Sequence, residues 1–181
     1  MKVYPSGFNI YLALFASVAL LAGCQTHKTA TKENKQVSAL RVYIESNPDT
    51  AGMSQTVSVL RSDPVSVTIL HDPILSESQI IAARVLDAPA GAGFAVELKL
   101  ADMPTLLLEQ YSAANPGRHF VIWGQWGDKV KDTRWLAAPL ITHRITDGIM
   151  SFTPDMSRDD AYRLVLGLNN LAKKTAKGVM K

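Results

Sequence analysis

Cysteine is nearly absent from this sequence: Cys24 is the only one in 181 residues. A lone thiol excludes an intramolecular disulfide and any zinc site built on cysteine pairs. Histidine is scarce too. His27, His71, His119 and His143 are scattered, and no His-Glu-x-x-His pattern joins two of them. Gly91 and Gly93 lack Gly-x-Gly-x-x-Gly spacing and precede a strand pattern, so they read as a turn and not as a phosphate loop. Gly-x-Ser-x-Gly is missing as well, which leaves Ser112, Ser151 and Ser157 as nucleophiles by residue type only. Charge of one sign is also lacking. Nineteen Lys and Arg face 16 Asp and Glu, a formal net charge of +3, with no dense basic patch before the C-terminal lysines. These absences argue against nucleic acid as a partner and leave no assembled catalytic set, metal site or cofactor site.

Long apolar runs are missing, with one exception. Phe8 to Ala22 follows a short start carrying Lys2 and ends at Leu21-Ala22-Gly23-Cys24. The run is short for a membrane span, which needs about 20 residues. A charged start, an apolar centre and small residues at the end are the layout of a secretory signal peptide. Leu21, Ala22, Gly23 and Cys24 together resemble the lipobox of bacterial lipoproteins. That resemblance implies removal of residues 1–23 and lipid on Cys24, which becomes the first residue of the mature chain. A plain signal peptide that contains a cysteine, or a short anchor, are the other readings. Gln25 stands where Asp would imply retention in the inner membrane, so the resemblance points to the outer membrane with the domain facing the periplasm. Residues 24–39 hold almost no large apolar residue and read as a flexible tether.

Residues 40–181 suit one domain with one core. Leu40 to Glu45, Thr56 to Arg61 and Val65 to Leu70 have strand patterns. Ser76 and Gln79 are spaced as a capping box before a short helix to about Ala83. Phe94 to Leu100 alternates cleanly, with Phe94, Val96, Leu98 and Leu100 inward. Asp102 is placed to cap a helix whose inner face carries Leu107, Leu108, Tyr111 and Ala114, and Asn115-Pro116-Gly117 stops it. His119 to Trp123, Trp135 to Ile141 and Ile149 to Phe152 are further strands. Ser157 and Asp160 repeat the capping spacing before a helix with Ala161, Leu164, Val165, Leu168, Leu171 and Ala172 on one face. The pattern predicts an α+β fold, a mostly antiparallel sheet with two or three helices packed on one face.

From about residue 65 to 172 the motifs follow an order that resembles the head part of the large periplasmic domain of SecD, an accessory subunit of the bacterial protein-export machine. Asp72-Pro73-Ile74-Leu75-Ser76 resembles the opening segment, and Ile81-Ala82-Ala83-Arg84-Val85 the next strand. Asn115-Pro116-Gly117-Arg118-His119-Phe120-Val121-Ile122 resembles the Asn-x-Gly-Arg-x-x-Ala-Ile strand. Ala137-Ala138-Pro139-Leu140-Ile141 resembles the Ser-Ala-Pro-x-Ile strand. Ile145 to Gly148, Phe152-Thr153 and Asp159-Asp160-Ala161 resemble the closing strand and helix. SecD-type proteins carry six transmembrane helices and a membrane-proximal base that this sequence does not show. The resemblance therefore implies the head fold and an ability to meet other periplasmic proteins, without proton-driven transport.

Trp123, Trp126 and Trp135 are the most suggestive cluster. Trp123 and Trp135 fall in strands as core candidates, whereas Gly124 and Gly127 frame Trp126 in a loop where its ring can be exposed. Tryptophan and arginine dominate binding hot spots. Trp126, Arg118, Trp135 and Arg134 are accordingly the candidate protein-binding residues, although the arginines can equally pair with Glu109 and Asp128. The leading expectation is a non-enzymatic protein-binding module, lipid-anchored in the envelope. A structural scaffold subunit ranks second and an envelope enzyme last. With a clickable fatty acid supplied to cells, the wild-type chain should become labelled. Cys24→Ser should remain unlabelled and retain the apolar leader, as read by mass.

Overall fold

Alternating apolar residues build nine strands and two helices among the described residues. The computed structural model describes residues 36–49, 52–88, 93–127 and 132–179, all within the compact unit Gln36–Lys181. The signal peptide, Cys24 and nearly all of the tether lie outside the described residues. The strands are β1 (Ala39–Ile44), β2 (Ser54–Val59), β3 (Val65–Leu70), β4 (Leu75–Ser76), β5 (Ile80–Asp87), β6 (Phe94–Leu100), β7 (Phe120–Trp126), β8 (Asp132–Ala137) and β9 (Ile149–Phe152). Helix α1 spans Asp102–Ala114 and α2 spans Arg158–Val179.

The α+β class holds, with three antiparallel sheets where one was expected. Their strand orders are β4-β1-β7-β8, β2-β3 and β5-β6-β9. The main core lies between the four-stranded sheet, the three-stranded sheet and the helices. It holds Leu40, Val42, Ile44, Val96, Leu98, Ile122, Leu136, Leu164 and Leu168, all nearly fully buried. A second, smaller core forms where the β2–β3 hairpin covers the other face of β1 and β7. It comprises Tyr43, Val57, Val59, Val67, Ile69 and Val121, with Trp123 and Trp135 packed against it. Strand β1 is therefore buried on both faces and not half-buried as its alternation suggested. The hairpin's far end is fastened by Arg61, whose main-chain N–H and guanidinium both bind the Asp155 carboxylate, the N–H at 2.9 Å. Leu60, just before it, takes a left-handed φ of 68°, which costs a bulky side chain strain that the Arg61–Asp155 contact offsets.

Three local expectations need correction. The helix after Ser76 is only one 3₁₀ turn, Glu77–Gln79, because Ile80–Asp87 enters a strand beside β6. The capping box itself is present, with Gln79 Oε1 accepting from the Ser76 N–H at 2.7 Å. Helix α1 is capped at Ala101, and Asp102 is its first helical residue. Its buried face carries Pro104, Leu108 and Ser112, whereas Leu107 and Ala114 face outward. Ser157 does cap α2, accepting from the Asp160 N–H at 3.1 Å and donating to that carboxylate at 2.8 Å.

Glycine at position 167 lets the chain's entry segment cross α2 closely. A Cβ there would sit 2.1 Å from Ser38 Oγ and 2.6 Å from the Ser38 main-chain nitrogen. Alanine would gain about 1 kcal/mol of helix propensity. Overpacking against backbone typically costs about 1–3 kcal/mol. Gly167→Ala should therefore lower the urea midpoint of unfolding, whereas Gly178→Ala, which meets open space, should not.

Candidate functional site

Strand β7 decides where the tryptophans go. It runs to Trp126, three residues beyond the expected end, and its period of two puts Phe120, Ile122, Gly124 and Trp126 on the core face. Trp126 is 1% exposed. The expectation of an exposed loop ring is thereby overturned: it is a core residue with Arg134 stacked over it, 5.7 Å from guanidinium carbon to ring centroid. Trp123 and Trp135 point to the opposite face, each half-buried against the hairpin. Trp135 meets Tyr43 edge-on at 5.3 Å, and Arg41 stacks on Trp123 at 5.4 Å. Arg118 precedes β7 at its other end, about 26 Å from Trp126 along the strand, and donates to the Glu45 carbonyl at 3.0 Å. The four candidate binding residues thus do not converge on one surface. Of the two acids named for the arginines, Glu109 pairs with Arg144, and Asp128 lies outside the described residues.

The surface instead opens elsewhere. A cleft of about 510 Å³ runs between β9 and the chain from Pro139 to Asp147. Its apolar walls are Phe120, Ile141, Ile145 and Met150, and Leu140 stands at the rim, 52% exposed. Main-chain bonds from Ile141 to Arg118, Phe120 to Pro139 and Gly117 to Ile141 hold one wall rigidly against the start of β7. The Ser112 hydroxyl accepts from the Ile145 N–H at 2.9 Å and fixes the rest of that wall to α1. A shallower hollow of about 300 Å³ lies over Arg84, Glu97 and Lys99, and Ile149 borders both openings.

One side of this cleft is a strand edge. Among the described residues β9 has a neighbour in the three-stranded sheet only on the β6 side. The Leu100 N–H bonds to the Gly148 carbonyl, and Leu98 stands opposite Met150. Antiparallel ladders alternate, so Met150 and Phe152 bond to β6 while the main-chain groups of Ile149 and Ser151 point into the cleft. Asp147 accepts from the Ile149 N–H at 3.0 Å. At the opposite edge of this sheet Asn169 of α2 occupies Ala83, accepting from its N–H and donating to its carbonyl, both at 2.9 Å. Neither the cleft nor its edge was foreseen as a site. Asp147-Gly148 before the strand and Pro154 after it mark a short strand, but only the topology shows which side is open.

Among the described residues, His71, His119 and His143 form no cluster. His119 is held by Glu45, with Nδ1 at 2.7 Å and the His119 N–H donating to the same carboxylate oxygen at 2.8 Å. His143 contacts Thr142 on the cleft rim, and His71 is exposed. Among the described residues no group of three or more His, Cys, Asp or Glu could hold a metal ion, and no helix is long and apolar enough to cross a membrane. Partial burial pushes Glu45 up, but the hydrogen bonds from His119, with the His119 and Arg118 charges, outweigh it and hold the carboxyl below its usual value. Arg61 does the same to Asp155 against a smaller opposing effect of burial.

The fold of this α+β domain is similar to that of solved structures of SecDF. A structure of SecDF, a membrane component that enhances protein export, aligns with 80% of this chain and 67% of its own at 19% identity and a TM-score of 0.52. SecDF in a super-membrane-facing form aligns with 80% of this chain and 20% of its own, at 19% identity and a TM-score of 0.53. The fold is SecD-like, as the motif order implied, and this chain spans a fifth of the longer protein. No protein-family model matches the chain, and no curated protein matches it. Because the folded Glu45 and Asp155 carboxyls titrate below their unfolded values, their stabilisation is present above the unfolded value and lost as pH falls through the folded one. Urea unfolding across acid pH should therefore show a shallower loss of stability in Glu45→Gln than in the wild type.

Proposed function

We propose that this protein is a lipid-anchored, non-enzymatic protein-binding module of the bacterial envelope. It faces the periplasm from the outer membrane and serves protein export or envelope assembly. The observation that carries this reading is the cleft, lined by apolar and polar residues in equal measure, beside the edge of β9 that has no strand neighbour among the described residues. Walls fixed by main-chain bonds, an exposed Leu140 and unpaired strand groups suit the capture of another polypeptide better than a reaction. The likeness in fold to an export-enhancing membrane component supports an envelope location and a link to export. The lipobox at Leu21 to Cys24 supports the anchor. Lipid on Cys24 would confine the domain to the membrane surface and raise its effective concentration for partners there.

Trp126, Arg118, Trp135 and Arg134 are supports in this reading: Trp126 packs in the core under Arg134 of β8, Trp135 seats the hairpin, and Arg118 ties the end of β1 to the start of β7. A photoreactive residue at Leu140 should crosslink other envelope polypeptides in intact cells, identified by mass spectrometry. The same residue at Tyr162, exposed on α2, is the control. Equal capture at both positions, or none at Leu140, would overturn the assignment of the cleft. A single stoichiometric partner would favour the scaffold alternative.

A further inference from the structure

The cleft offers more than apolar contact. We infer that β9 receives an extended polypeptide as a fourth strand of the β5-β6-β9 sheet, held by main-chain hydrogen bonds to Ser151 and Ile149. This deepens the binding reading and rests on it.

Three observations commit the site to an extended chain. The ladder with β6 leaves the Ser151 N–H and the Ile149 and Ser151 carbonyls facing the cleft, a donor flanked by acceptors at strand spacing. Only another strand's backbone matches that pattern, because a helix keeps its backbone groups to itself. At the sheet's other edge Asn169 occupies both outward groups of Ala83. Strand addition at Ala83 is thereby blocked, whereas no such cover stands over Ile149 and Ser151 among the described residues. The side chains then suit an alternating sequence. Residues of the guest on the Met150 side meet Ile145 together with Thr142, His143 and Arg144, and the next ones lie beside Ile149 near Lys99 and Glu97. The guest chemistry is an extended segment with β-branched or other apolar residues at every second position and no requirement for charge.

Ser151→Pro tests this without dismantling the sheet. The Ser151 N–H points away from β6, where proline is tolerated in an edge strand. The probe is a synthetic peptide of alternating valine and threonine with a terminal lysine at each end. It is compared with two versions, one N-methylated on every valine amide and one on every threonine amide. Binding to the lipid-free domain, followed by fluorescence anisotropy, should be about tenfold or more weaker for Ser151→Pro. Ser151→Ala, which keeps the main chain, should bind like the wild type. One methylated peptide should bind and the other fail, since successive amides face opposite edges of a strand. Equal binding of both methylated peptides would overturn strand addition even if Ser151→Pro does not fold. Wild-type binding with an unaffected, folded Ser151→Pro would also overturn it, yet leave a side-chain cleft. No binding of the unmethylated peptide would overturn it too, and capture at Leu140 in cells then decides the broader reading independently.

Discussion

Helix α2 lays Ala161, Leu164, Val165 and Leu168 against β1 and β7 of one sheet and against β5 and β6 of another. Each large aliphatic side chain buried this way contributes about 1.5–3 kcal/mol. The same helix supplies Asn169 to the β5 edge, and Gly167 gives it room to approach Ser38. Its N-terminus is fixed by Ser157 and, beyond that, by Arg158 pairing with Asp87 at the end of β5. Fixing α2 therefore sets the spacing of the two sheets. The space left between β9 and the 139–147 segment follows from that spacing.

Much of this architecture was legible in residue patterns, because alternation reports which face of a strand meets a core. β6 and β9 fell where Phe94 to Leu100 and Ile149 to Phe152 placed them, and Ser157 capped its helix. Patterns failed where a second layer intervened. Tyr43 looked like an outward residue of a half-buried strand, yet the β2–β3 hairpin covers it and Val121 beside it. Trp126 looked like a loop residue between glycines. Gly124 is instead a strand residue, with Leu136 pressed so close that a Cβ would lie 2.6 Å from its Cδ1. The short helix expected after Ser76 gave way to a strand because β6 offers Ile80 to Asp87 a backbone partner, and tertiary pairing outweighs local propensity. An open edge has no local signature at all. It is a statement about which strand lacks a neighbour.

The two edges of the three-stranded sheet are treated differently, and that asymmetry is informative. Unpaired edges invite indiscriminate pairing, and folded proteins blunt them with covers, charges or shortness. Here β5 is covered at Ala83 by a side-chain amide that imitates a strand, while β9 is only four residues long and bounded by Asp147 and Pro154. The hairpin, by contrast, covers part of the aromatic face of the four-stranded sheet and leaves Trp123 and Trp135 half-buried. Accessible backbone and accessible aromatic surface are therefore on different sides of this fold, and a residue-type argument based on tryptophan points to the wrong one.

The entry of the chain has a mechanical consequence. Gln36 is bound on both sides by α2, donating to the Arg163 carbonyl at 3.1 Å and accepting from Asn170 at 3.0 Å. Three residues later the chain becomes β1, flanked by β4 and β7. Tension applied through the residues before Gln36 would pull β1 along its own axis, across hydrogen bonds that stand perpendicular to it. Those bonds share such a load in shear and do not open one after another as in a zipper. The domain is thus entered through a strand paired on both sides, an arrangement that resists peeling from that end.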